Sequence, residues 1–424
     1  MSKMIESLKN GACFITHKLK HSHSVMISVS FRTGTLFENE SNNGISHLVE
    51  HLFFRRLSDY SQHKLYYEMQ KIGAEIIGKT YCDYVTFSIT VVPKYFCNAM
   101  NLMLKFFDDF EWSNAEIENE KEVVCRQIDS NSLSYDKWVD SIYFANTNYA
   151  YPIMGAYESV LAFTSKDIND WKKSYFSVNN SCICITGRFS DDDYLFAKRK
   201  LNELSNSYKP HNRIIALPEN FCKRNFDNGI NFNNSDSDIS EINILFDVDG
   251  SIKYENIRLL SSIIGEGCGS KLSIALREEH FLTDDIYTSL TSYYGFNRLC
   301  ISYSVKEENI DSSLKFAFDT IKKMKEKITN EDLETSIKFF TDNQFMDLDN
   351  IKVLNDEYVL SNFALDLKNS KPRDKAKAYD NIKIIDLINT ARRVFVNENL
   401  SFIIESHLEK ERIKTIVKNA LKEF

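Results

Sequence analysis

The sequence predicts an α+β fold of two similar domains, each a mixed or antiparallel β-sheet with helices packed on it. Three observations predict it. Segments with the two-residue alternation of strands are interleaved with segments of helical period. A stretch dense in Asn, Asp and Ser, residues 205–240, divides the 424 residues near their middle and holds two of the five prolines. The order of strand-like and helix-like segments before that stretch recurs after it.

Taken in order, CFITHKL, SVMISVSF and YVTFSITVV read as strands of the first half. Residues 98–107 and 117–128 read as helices, and 181–186 as a closing strand. After the break come a strand at 242–248, a helix at 254–264, a strand at 298–305, helices at 310–325 and from 330 onward, and a closing strand at 401–405. The expected boundaries are therefore a first domain at 1–204, a linker at 205–240 and a homologous second domain at 241–424.

Composition narrows the function. Apolar residues make up 43% of the chain and charged residues 26%, values of a chain that buries a core. Lys and Arg number 52 against 60 Asp and Glu, a net charge of −8, which argues against nucleic acid as a partner. No apolar run reaches the roughly 18 residues of a membrane span. The first residues, MSKMIESLKNGACF, lack a basic flank followed by an apolar run, so a cytoplasmic chain is expected. Nine Cys, an odd number, do not form a disulfide framework. Cys182 and Cys184, at strand spacing, are expected to pack on one sheet face rather than to bind metal.

The chemistry is concentrated in GISHLVEHLFF, residues 44–54, where His47, Glu50 and His51 form H-x-x-E-H. On a helix the two histidines lie four apart on one face, within reach of a single tetrahedral metal, and Glu50 sits beside them. Two imidazoles suit Zn²⁺, and a carboxylate beside a zinc-activated water can take its proton as it attacks a carbonyl. Ser41 or Asn42 is expected to cap this helix. A strand edge within 76–89 could pair with an extended peptide.

These residues and their surroundings resemble the pitrilysin-type, or inverzincin, metallopeptidases (M16), in the subgroup with mitochondrial processing peptidase and its bacterial relatives. The resemblance is carried by NGACFITHKLKHSHSVMISVSFRTGTLFENESNNGISHLVEHLFF, KIGAEIIGKTYCDYVTFSI, ENEKEVVCRQI, YPIMGAYESVLAFTSKDINDWKKSYFSVNNSCICITG and SIIGEGCGSKLSIALREE, and it covers nearly the whole chain. It implies half of a clamshell, a peptidase site in the first domain, and a homodimer or a heterodimer with a second chain of the same type. His47 and His51 become zinc ligands, Glu50 the general base and Glu120 its supporting carboxylate. The third ligand, a Glu seven residues after Glu120 in the family, is Gln127 here. That leaves three options: Gln127 ligates weakly, Glu120 or Glu122 substitutes, or the site is poor in metal. The resemblance also implies that Arg277 and Tyr287 hold substrate, with 281–284 bulging to bring Tyr287 into place. The expected substrate is a short or leader-type peptide, and the alternative role is that of a catalytically impaired, peptide-binding subunit.

Overall fold

The computed structural model describes residues 4–130, 144, 147–205, 230–234, 236–293, 296–365 and 379–424. Two compact units are formed, Met1–Ala216 with Met346–Ser370, and Leu217–Phe345 with Lys371–Phe424.

The sheet of the first unit is built from β1 (Met4–Ser7), β2 (Cys13–Lys18), β3 (Val25–Phe31), β6 (Ile76–Thr80), β7 (Val85–Val91) and β8 (Ser181–Gly187), with β4 (Arg56–Leu57) and β5 (Tyr60–Ser61) forming a separate short hairpin. The order is β1-β2-β8-β3-β7-β6, antiparallel except for β2 beside β8. β3 and β8 are buried along their whole length, because both faces of the sheet are covered. On one face lie α1 (Ile45–Arg55), α2 (Gln62–Lys71), α3 (Phe96–Leu104) and α4 (Asn114–Ser130), followed by α5 (Tyr157–Ala162), α6 (Ser165–Tyr175) and α7 (Asp191–Glu203). Phe53 of α1 is the hub of that side, with ring centroids 5.2 Å from Phe87, 5.1 Å from Phe106 and 5.1 Å from Trp112. Edge-to-face packing of this kind adds about 0.5–1.5 kcal/mol per pair beyond area burial.

The opposite face is covered by a helix from much later in the chain, Ile351–Val359. Its Leu354, Tyr358 and Val359 pack with Ile15, Cys182 and Cys184. Both cysteines thus lie in the core, on one sheet face. Asn355 accepts from the Ser28 hydroxyl at 2.6 Å and donates to the Cys184 carbonyl and the Thr186 hydroxyl, both at 3.2 Å. The sequence places this helix within 241–424, but its apolar face is buried against the first sheet. Segment 346–370 therefore belongs to the first unit.

The second unit has β9 (Ile230–Asn234), β10 (Ile239–Asp249), β11 (Ile286–Tyr293), β12 (Phe296–Lys306) and β13 (Leu400–Ser406) in the order β11-β12-β10-β13-β9. Only β13 and β9 are parallel. Read from its other end, this is the order β9-β13-β10-β12-β11, strand for strand that of β2-β8-β3-β7-β6. The expected duplication is present in the topology. Helices Tyr254–Gly265, Ile310–Met324 and Ile384–Val394 bury one apolar face in a core with Ile244, Phe246, Ile301 and Phe402. β9 falls inside the stretch read as linker, so the linker ends earlier than expected; its middle, 206–229, lies outside the described residues. Ile-Asn-Phe-Asn-Asn is poor in β-branched residues, and its pairing with β13 overrides local preference. Among the described residues no helix is long and apolar enough to cross a membrane.

Candidate metal centre

Helix α1 forms because ISHLVEHLFFR places Ile45, Leu48, Val49, Leu52 and Phe53 on a continuous buried stripe. That stripe fixes the helix against the sheet and leaves His47 and His51 half-buried on the other side, with Glu50 buried next to them. One ligand atom each from His47, Glu50 and His51 lie within 4.8 Å of one another. The two imidazole rings are 4.6 Å apart, centroid to centroid. This donor set, two imidazole nitrogens and a carboxylate, is of the kind that zinc takes.

Two neighbours hold the set in place. Glu120, buried on α4, accepts from His51 Nδ1 at 3.0 Å and from Arg55 Nε. A carboxylate at Nδ1 keeps the proton there and leaves Nε2 with its lone pair, the arrangement typical of a metal-binding histidine. Burial alone raises the Glu120 carboxyl, but the bonds from His51 and Arg55 outweigh it and hold the group below the usual carboxylate range. Glu50 is turned toward β6, where the Thr80 hydroxyl donates to its Oε2 at 3.2 Å. Burial pushes the Glu50 carboxyl up, with the adjacent His51 and the Thr80 hydroxyl acting against it. β6 passes this close because residue 78 is glycine: a Cβ there would lie 2.1 Å from Glu50 Oε1. β6 is also an edge of its sheet, bonded only to β7.

Among the expected site residues, His47, Glu50, His51 and Glu120 come together. Gln127 follows Glu120 by two helical turns on the same face of α4 and is half-buried, with its Oε1 out of contact with solvent. Glu122 and Glu118 are exposed, and Glu116 accepts the Ser113 N–H at 2.7 Å at the start of α4. Arg277 and Tyr287 belong to the second unit. Arg277 is exposed near the end of a π-helical stretch, Ser273–Glu279, 3.6 Å from Glu278. Tyr287 is 54% exposed on edge strand β11, after a segment in which Phe281 takes a φ of 54° and stands 83% exposed.

The expected cap is replaced. Ser41 and Asn42 turn toward Asn39, and α1 begins at Gly44, whose φ is 96°. The Gly44 and Ser46 N–H groups are taken by Glu38, a residue that spacing did not single out, and the Ile45 N–H by the Asn42 carbonyl. Arg55, Thr80 and Gly78 were also missed. An arginine one turn after His51 and an aligned glycine give no local signal, since their roles depend on α4 and β6.

Residues 14–157 match the family Insulinase (Peptidase family M16), and residues 162–339 match the Peptidase M16 inactive domain. The chain is 24% identical over 409 residues to an uncharacterized zinc protease of Rickettsia felis, spanning 94% of this chain and 97% of that protein. It is 25% identical over 195 residues to the mitochondrial-processing peptidase subunit beta of Bos taurus, covering 45% of this chain and 39% of that one. The periplasmic protease PqqL of Escherichia coli superposes with a TM-score of 0.82 at 13% identity, over 99% of this chain and 50% of that chain. Two consecutive domain matches, a full-length zinc-protease relative and the H-x-x-E-H helix agree: the chain belongs to the M16 family of zinc metallopeptidases.

Proposed function

We propose that this chain is a zinc-dependent endopeptidase that cuts short or leader-type peptides inside a dimeric chamber, working in the cytoplasm. The observation that carries the reading is the convergence of His47, Glu50 and His51, with Glu120 orienting His51. Bound zinc supplies the Lewis acidity that lowers the pKa of water and polarises the scissile carbonyl. Glu50, held beside β6 by Thr80, accepts the proton of the attacking water and returns it to the leaving amine. His47, His51 and Gln127 hold the metal, and Arg277 and Tyr287 hold the substrate backbone and the developing oxyanion. An extended peptide adds to the free edge of β6, which runs past Glu50. A second chain completes the enclosure, in keeping with the half-length match to PqqL.

Gln127 supports one second reading, a subunit that binds peptide without cutting it, because an uncharged amide attracts Zn²⁺ less than a carboxylate does. Zinc content and hydrolysis of quenched fluorescent peptides decide between the two. The peptidase reading expects near-stoichiometric zinc that is lost in His47→Ala, and cleavage that is lost in Glu50→Gln with zinc retained. Cleavage seen only in Gln127→Glu assigns the chain to the second reading. Failure of both the wild-type chain and Gln127→Glu to take up zinc ends the peptidase reading and leaves the peptide-binding one.

A further inference from the structure

Helix α1 receives no cap from a side chain at its own start. Its opening is instead held by a residue six positions earlier. Glu38 is fully buried; its Oε2 accepts the Gly44 N–H at 2.9 Å and the Asn43 Nδ2 at 3.0 Å, and its Oε1 accepts the Ser46 N–H at 3.0 Å. Burial pushes the Glu38 carboxyl above the usual carboxylate range, and three N–H groups with the positive end of a helix work against that cost. The same residue ties in a distant segment. Its carbonyl accepts from Asn148 Nδ2 at 2.7 Å, while Asn43 also donates to the Pro152 carbonyl at 3.1 Å and accepts from the Ser159 hydroxyl at 2.9 Å. Gly44 itself is pressed on that segment, since a Cβ there would stand 2.7 Å from the Gly155 Cα.

We propose that Glu38 is a positioning residue of the metal centre, fixing the rotation and axial position of the first turn of α1 and thereby the imidazole of His47, which follows Ser46 directly. For its consequence this rests on the zinc reading above; for its cause it rests on the hydrogen bonds alone. A carboxylate accepts from both backbone N–H groups at once. The amide of a glutamine has one oxygen for that task and turns an N–H₂ toward the other donor. With that bond lost, the turn relaxes, and a histidine displaced by a fraction of an ångström no longer shares a cation with its neighbour.

The test uses the full chain with ¹⁵N-labelled histidine, the His47 signal being assigned by its loss in His47→Asn. Asp193→Ala is the control, because it removes the acceptor for the Ser190 N–H at the start of α7. In the metal-free protein Glu38→Gln is expected to shift or broaden the His47 signal, and zinc titration against a chelating dye is expected to show affinity weaker by about tenfold to a hundredfold. Asp193→Ala should lower Tm and change neither readout. Glu38→Gln that lowers Tm but leaves the His47 signal and zinc affinity at wild-type values overturns the proposal. If the wild-type chain binds no zinc, the zinc reading fails, while the His47 signal still decides for or against Glu38. Should Glu38→Gln not fold, Asn43→Ala removes one of the three donors and is expected to move the His47 signal and weaken zinc binding about threefold; an unmoved signal overturns the proposal.

Discussion

A single methyl group at position 78 tests how closely the acid is fenced. Gly78→Ala puts its Cβ 2.1 Å from Glu50 Oε1 and 2.8 Å from the Phe54 ring, so the carboxylate must swing away, while the ends of the two side chains yield at little cost to folding. Peptide cleavage is expected to fall about a hundredfold with the circular dichroism spectrum retained; wild-type turnover in this variant refutes the placement of Glu50 as base. Elsewhere, Asp247 on β10 faces Arg298 on β12 across the sheet of the second unit. Burial pushes its carboxyl up to about 7, against the pull of Arg298. Between pH 4 and 7 the unfolded chain has lost this proton and the folded chain keeps it, so this group lowers stability as pH rises through that window. The total change across the window amounts to about 4 kcal/mol. Urea midpoints against pH should flatten in Asp247→Asn, and an unchanged slope removes Asp247 as its source.

Among the elements, the central strands and the helices at 98–107, 117–128, 254–264 and 310–325 were legible because their periods and their burial agree: YVTFSITVV alternates, and β7 turns Val85, Phe87 and Ile89 inward. The H-x-x-E-H helix was legible for the same reason, its apolar stripe and its chemical face being written in eleven residues. What was hidden is partnership. Ile351–Val359 shows which face it buries but not which sheet receives it, and Ile230–Asn234 becomes a strand only beside β13. The first of these has a measurable strength. Asn355→Ala leaves the Ser28 hydroxyl, the Cys184 carbonyl and the Thr186 hydroxyl without their shared partner in a buried site. Urea unfolding is expected to show a loss of about 2–4 kcal/mol. An unchanged midpoint means that the helix is not held to the sheet as described.

For the whole molecule, matching topologies in the two units explain why a weak recurrence of segments was enough to predict two similar domains. Each unit repeats one solution, a last strand inserted between a parallel and an antiparallel neighbour. Polar composition across residues 205–240 hid the strand Ile230–Asn234, because it marks what can be exposed, not where pairing begins. The dimer proposed above has a direct check: sedimentation equilibrium at micromolar concentration is expected to give about twice the 49.3 kDa of one chain. A single-chain mass at all concentrations removes the chamber formed by two copies, and a mass restored to double by adding a second M16-type chain identifies the heteromeric form.

The late helix on the first sheet also sets an order of events at the ribosome. Synthesis completes β8 at Gly187 and reaches Ile351 only after 164 further residues, an interval on the order of ten to thirty seconds. Until then Ile15, Leu19, Tyr84 and the two cysteines of β8 emerge as an uncovered apolar floor. The nascent chain thus presents a chaperone with a binding surface during its own translation, and a fragment ending near residue 204 would keep that surface permanently.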